Sequence, residues 1–190
     1  LVGGDTTSWL NGLVINIAML ARAEGIQPVL RSGAQVGDVI FVTGDLGGSL
    51  LKRHLEFTPR VNEARRLAKL VNLHAMIDLS DGLAGDLGHI CRASRVGAIV
   101  DKEAIPLSLA AQKAEDPLKA ALTDGEDFEL LFTVSAKDAE RLVREHFEES
   151  FVKLTRIGEI IAVSGEILLR DGTGQTEPLT YKGWEHHWGD

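Results

Sequence analysis

Apolar residues along this chain follow two spacings, and the two are mixed without a strict rhythm. Residues 38–43, Asp38-Val-Ile-Phe-Val-Thr43, are an unbroken run of β-branched and aromatic types, which predicts a buried strand. Comparable runs predict strands over 97–101, 128–134, 154–163 and 166–170, the last two as a terminal hairpin around Ser164-Gly165. A strand is also expected over 12–21, where Val14, Ile15 and Ile17 are β-branched, and a short strand and turn over 29–38. Apolar residues three and four apart predict helices at 62–73 (Ala64, Leu67, Ala68, Val71) and at 136–147 (Ala139, Leu142, Val143, Phe147). Shorter helices are expected at 49–55, before the break at Pro59, and at 117–122. No regular strand–helix–strand alternation emerges. The expected fold class is therefore α+β, a mixed sheet covered by helices, rather than a doubly wound α/β sheet.

One apolar run stops on charge. Ala75-Met-Ile leads to Asp78, Ser80-Asp81-Gly82 interrupts it, and Leu83, Leu87 and Ile90 resume at helical spacing. Two carboxylates three residues apart, at a strand end and helix start, suit a hard divalent cation better than a core. A core would need each charge paired, and no basic residue lies nearby in sequence. Helix capping accounts for Ser80 or Asp81 and leaves Asp78 without a role. Three further turns share this chemistry beside apolar runs: Gly3-Gly-Asp-Thr-Thr7, Gly44-Asp-Leu-Gly-Gly48 and Asp124-Gly-Glu-Asp127. Glycines let backbone N–H groups approach an anion, and carboxylates hold Mg²⁺ against phosphate oxygens. One such turn is ordinary; four form a pattern.

Composition narrows the chemistry. The net charge of -8 and the lack of a basic stripe argue against nucleic acid. A nucleotide remains compatible, because a bound divalent cation reverses the local sign. Cys91 is the single cysteine, so no intrachain disulfide forms and a small buried apolar role is expected for it. No apolar run reaches membrane-span length and no signal peptide is visible, so no membrane partner and a cytoplasmic setting are expected. The P-loop motif, a complete Gly-x-Gly-x-x-Gly, a zinc-ligand spacing and the Gly-x-Ser-x-Gly elbow are all absent. The chain opens on Leu1-Val-Gly-Gly-Asp5, which reads as the end of a strand, as expected of a piece of a larger protein.

Six segments, in order, resemble thiamine-monophosphate kinases: Val2-Gly-Gly-Asp-Thr-Thr7, Leu30-Arg-Ser-Gly-Ala-Gln-Val-Gly-Asp38, Phe41-Val-Thr-Gly-Asp-Leu-Gly47, Ile77-Asp-Leu-Ser-Asp-Gly-Leu83, Asp86-Leu-Gly-His-Ile90 and Gly125-Glu-Asp-Phe-Glu-Leu-Leu-Phe132. That family belongs with aminoimidazole ribonucleotide synthetase, selenophosphate synthetase and the hydrogenase maturation protein HypE. The resemblance implies ATP- and Mg²⁺-dependent phosphorylation of thiamine monophosphate to thiamine diphosphate. It implies Mg²⁺ on Asp5, Asp78 and Asp81, and ATP on Gly4, Asp5, Arg31 and Ser80. Asp78, Asp81 and Arg31 would carry catalysis. Glu126, Asp127 and Trp184 would line the thiamine side, Trp184 by stacking on the cationic heterocycle or, alternatively, by simple tail packing.

The resemblance further implies an absent N-terminal ATP-binding domain that completes the metal cluster and forms a homodimer. Residues 1–24 would be its residual strand segment and 25–190 the C-terminal α+β domain, a portion inactive alone. The chain departs from many relatives at Gly47-Gly48-Ser49, where an Asp is usual between glycine and serine. Two other readings stand beside the kinase. One is a different ATP-dependent synthetase of the superfamily, selenophosphate- or aminoimidazole ribonucleotide synthetase-like. The other is a non-catalytic interaction domain whose acidic turns are only caps and hairpin ends.

Overall fold

The computed structural model of the chain describes residues 17–18, 20, 22–23, 25, 27–49, 51, 53–145 and 151–181. Their strands are β1 (Val39–Thr43), β2 (Leu73–Asp78), β3 (Gly97–Asp101), β4 (Leu130–Val134), β5 (Leu154–Ile161), β6 (Ile167–Arg170) and β7 (Thr176–Pro178). They form one sheet in the order β2-β4-β1-β5-β3-β6-β7. All neighbours are antiparallel except β3 and β6, which are parallel. The α-helices are α1 (Val61–Leu70), α2 (Leu83–Ser94), α3 (Pro117–Thr123) and α4 (Ala136–Arg144).

Helices cover both faces of the sheet, which is why β1 and β4 are buried along their whole length. On β1, Ile40 and Val42 join a core with Leu83, Leu87 and Ile90 of α2 and Ala121 and Leu122 of α3. Val39 and Phe41 point the other way, into a core with Leu67 of α1 and Ala139 and Leu142 of α4. The period-2 alternation of a strand thus serves two cores at once. Phe41 lies opposite Phe132 on β4, and their rings stack at 5.6 Å, a cross-strand pair in the second core. Cys91 is fully enclosed in the first core, as its residue type led us to expect.

Side chains define two of the four α-helix starts among the described residues. Asp116 accepts from Lys119 N–H at 2.9 Å ahead of Pro117, and Ser135 accepts from Asp138 N–H at 3.1 Å ahead of α4. The mixed sheet and its helices agree with the expected α+β class.

Four expectations need correction. Strands β5 and β6 are not a hairpin, because β3 lies between them. The link between them crosses the start of β3 at Gly97, where a Cβ would press on the carbonyls of Val163 and Glu166. The true terminal hairpin joins β6 to β7, its turn built on Asp171 Oδ1, which accepts from Thr173 N–H, Thr173 Oγ1 and Gln175 N–H. Residues 29–38 form no strand; Leu30 takes one hydrogen bond from Met76 N–H at 3.0 Å. The expected helix at 49–55 reduces to a single 3₁₀ turn, Arg53–Leu55. Strand β4 starts at Leu130 rather than 128, because Phe128 has a left-handed backbone, φ 52°. The strand expected at 12–21 and the distal end of the 136–147 helix fall largely or wholly outside the described residues.

Candidate functional site

The acidic turn sits where β2 gives way to α2. The strand delivers Asp78 to the surface, Leu79 returns to the core, and Ser80 and Asp81 lie half-buried at the rim. Gly82 allows the sharp entry into α2: its φ is 94°, and a Cβ there would lie 2.8 Å from Leu122 O. The helix has no side-chain cap at this glycine. Asp86, one turn inside α2 and 1% exposed, reaches back instead. Its Oδ2 accepts from Ser80 N–H at 3.0 Å and from Asp81 N–H at 2.9 Å. Burial pushes the Asp86 carboxyl up to about 6; the charges of Asp81 and Asp78 add to this, and the two N–H donors oppose it.

His89 stands one turn further along α2. Arg92 Nη2 approaches its Nδ1 at 3.1 Å, and its Nε2 is 3.9 Å from Asp81 Oδ2. An arginine only donates, so Nδ1 accepts and the ring proton sits on Nε2, toward Asp81. Burial, followed by the positive charges of Arg92 and Arg31, holds His89 below its ordinary pKa; Asp81 opposes them. Arg31 therefore belongs to this neighbourhood. Its loop is pinned to the end of α2 by Ser94, whose Oγ accepts from Gly33 and Ala34 N–H and donates to Arg31 O. One hydroxyl thus uses its donor and both acceptor sites.

Asp81, Asp86 and His89 bring ligand-type atoms within 4.8 Å of one another; the carboxylate oxygens are the donors open to an ion, since His89 Nδ1 faces Arg92 and its Nε2 carries the proton, and Asp78 is close enough to influence Asp86. A buried carboxyl destabilised by neighbouring carboxylates is an environment that a divalent cation would relieve, and an oxygen-rich set suits Mg²⁺. The residues present fit the ion.

The turns at 44–48 and 124–127 meet each other rather than an anion. Asp127, 2% exposed, accepts from Gly47 N–H with both oxygens at 3.0 Å, and Asp124 accepts from Gly48 N–H at 2.8 Å. Ser49 Oγ donates to Gly125 O, and Ser108 Oγ donates to Gly47 O. Gly47 cannot carry a side chain, since a Cβ would lie 2.7 Å from Ala121 N. The expectation that these glycine N–H groups cradle a phosphate is corrected: carboxylates of the same fold already occupy them.

The 124–129 loop is also bound to the acidic turn. Glu126 N–H donates to Ser80 O and Phe128 N–H to Leu79 O, both at 2.8 Å, and Leu79 N–H returns to Glu129 O at 2.8 Å. Glu126 shares the left-handed backbone of Phe128, with φ 52°. Glu129 anchors the loop from below, accepting from Arg60 Nε and Nη2 at 2.8 Å each and from Thr43 Oγ1 at 2.6 Å. Phe57 stacks on Phe128 at 4.2 Å.

Residues 35–170 match the family model described as AIR synthase related protein, C-terminal domain. The chain belongs to this family. The AIR synthase-related domain is 41% identical to the thiamine-monophosphate kinase of Rhodopirellula baltica over 98% of this chain and 58% of that protein. A crystal structure of thiamine-monophosphate kinase from Stenotrophomonas maltophilia K279a is 34% identical, with TM-score 0.61 over 77% of this chain and 53% of that one. A structure described as AaThiL complexed with AMPPCP and TMP is 29% identical, with TM-score 0.66 over 84% of this chain and 54% of that one. The chain therefore spans little more than half the length of these relatives.

Within this AIR synthase-related domain, Asp78, Ser80 and Asp81 come together around the start of α2, Glu126 is tied to them through Ser80 O, and Arg31 lies near His89 further along the helix. Asp127 is enclosed and holds the neighbouring loop. Gly4, Asp5 and Trp184 lie outside the described residues. Asp86 and His89 were not among the expected ligands, although their i, i+3 spacing on a predicted helix already put them on one face. Ser94 and the Arg60–Glu129 pair carried no such signal, because their partners are far apart in sequence.

Proposed function

We propose that the protein carrying this chain transfers the γ-phosphoryl group of ATP to thiamine monophosphate, giving thiamine diphosphate and ADP. A phosphate oxygen of thiamine monophosphate forms a bond to the γ-phosphorus while the bond from that phosphorus to the ADP oxygen breaks. The acceptor is already ionised, so the chemistry asks for alignment and charge neutralisation rather than a strong base. Bound Mg²⁺ would neutralise phosphate charge as the transfer proceeds. Asp78 and Asp81 would hold the ion, Ser80 and Arg31 would contact ATP, and Arg31 offers a planar fork suited to phosphate oxygens.

The observation that supports this reading best is the backbone pairing of the acidic turn with the Glu126 loop, which keeps the carboxylates proposed to hold the cation next to the loop proposed to meet the acceptor. The identity with thiamine-monophosphate kinases along nearly the whole chain supports the same acceptor. In this reading Glu126 and Trp184 line the thiamine side, while Asp127 acts through the loop it closes. Gly4 and Asp5 extend the nucleotide site. Residues 1–24 belong to a preceding ATP-binding domain, 25–190 form the C-terminal domain, and the whole protein works as a homodimer in the cytoplasm. No helix among the described residues is long and apolar enough to cross a membrane.

The test is transfer from labelled ATP to thiamine monophosphate by the full-length protein carrying this sequence, with Mg²⁺ present. Labelled thiamine diphosphate is the expected product. ATP consumption without it would replace the acceptor with that of another synthetase, and no ATP use would leave an interaction domain.

A further inference from the structure

We propose that Asp86 is the positioning residue of the acidic turn, setting where Ser80 and Asp81 present themselves to a divalent cation. The inference rests on the reading that Asp78 and Asp81 take such an ion. An ordinary helix cap bonds forward, from the residue ahead of the helix to N–H groups in its first turn. Asp86 does the reverse: from inside α2 it reaches past Gly82 to two N–H groups that precede the helix. The backbone of the turn is held from two sides. Leu79 O, Ser80 O and Leu79 N–H are taken by the backbone of the 126–129 loop. The N–H groups of Ser80 and Asp81 are taken by Asp86 alone among the hydrogen bonds of the described residues.

The placement is costly, which argues that it serves the turn. The carboxylate is enclosed, its neighbours Asp81 and Asp78 are also acidic, and the nearby cations Arg31 and Arg92 act on His89 rather than bridging to it. An apolar residue at this helix position would escape that cost but leave the N–H groups of Ser80 and Asp81 without their acceptor. With one oxygen on both donors, an amide oxygen could replace it, whereas a methyl could not. This separates positioning from direct metal ligation.

The experiment compares wild-type full-length protein with Asp86→Asn and Asp86→Ala, reading Mn²⁺ binding by electron paramagnetic resonance and amide exchange at Ser80, Asp81 and Leu87. In the wild type, Ser80 and Asp81 should exchange slowly. Asp86→Asn should keep that protection and bind Mn²⁺ within about threefold of wild type. Asp86→Ala should weaken Mn²⁺ at least about tenfold and free both amides while Leu87 stays protected. Wild-type Mn²⁺ affinity in Asp86→Ala, or free exchange of Ser80 and Asp81 in the wild type, overturns the proposal. So does an equal loss in Asp86→Asn, which would make Asp86 a ligand, and so does a wild type that binds no Mn²⁺. If Asp86→Ala does not fold, wild-type exchange and the Asp86→Asn result still decide. The expected Mn²⁺ pattern without thiamine diphosphate formation would leave the positioning role standing and remove the kinase reading.

Discussion

Asp78 and Asp86 lie eight residues apart at one rim and carry different burdens. Asp78 is exposed at a strand end and contributes little to packing. Replacing it, or Asp81, with Asn should lower kcat/KM of the full-length protein in the proposed phosphoryl transfer by about 10²-fold or more, with the melting temperature within about 2 °C of wild type. Steady-state kinetics and thermal unfolding on the same samples check both parts. Asp86 is enclosed, and its carboxyl titrates near 6 rather than 3.8. A carboxyl raised in the folded state favours folding while protonated. Its contribution is complete below about pH 4 and is lost as pH rises through 6, a change on the order of 3 kcal/mol. In urea unfolding without divalent ions, Asp86→Asn should therefore lose less stability than wild type between pH 4 and 6.5. At this scale the site was partly legible. Asp78, Ser80 and Asp81 announce themselves because charge interrupts an apolar strand, while Asp86 looks like any acidic residue early in a helix. Asp127 shows the opposite failure, since its acidic type says nothing about whether it faces a ligand or Gly47 N–H.

Among the elements, the decisive contacts are between loops. Three of the four glycine-acidic turns form one assembly, with 44–48 bound to 124–129 and 124–129 bound to 78–81. The Arg60–Glu129 pair holds this assembly against the start of α1, and Glu129 is only 1% exposed. Arg60→Met removes two charge-assisted hydrogen bonds from a buried carboxylate and should cost about 2–3 kcal/mol in chemical denaturation. Adding Glu129→Gln should recover part of that loss, because the buried charge is then gone. Strand β1 and helices α1, α2 and α4 were readable because each carries a period or a continuous run that only one element type satisfies. The β5–β6 hairpin was misread because two apolar runs flanking Ser-Gly look alike whether the strands pair or straddle a third.

For the whole molecule, the sheet order depends on close backbone approach at small residues, Gly97 among them. Gly97 lets the β5–β6 link cross the start of β3, and it pairs with Ile161 at the sheet's middle. Gly97→Val should cost about 3 kcal/mol or more, since the blocking atoms are backbone carbonyls that cannot turn aside. Loss of soluble expression or a fall of about 10 °C or more in melting temperature would show it. The sequence by itself determined the α+β class, the strand and helix types of the strongly periodic segments, and the acidic turn at a strand end. These are local consequences of side-chain period and of charge ending an apolar run. Only the tertiary structure decided the strand order, the mutual satisfaction of the 44–48 and 124–129 turns, and the approach of Arg31 to His89. Those rest on hydrogen bonds and charge contacts between segments distant in the chain, which no local pattern encodes.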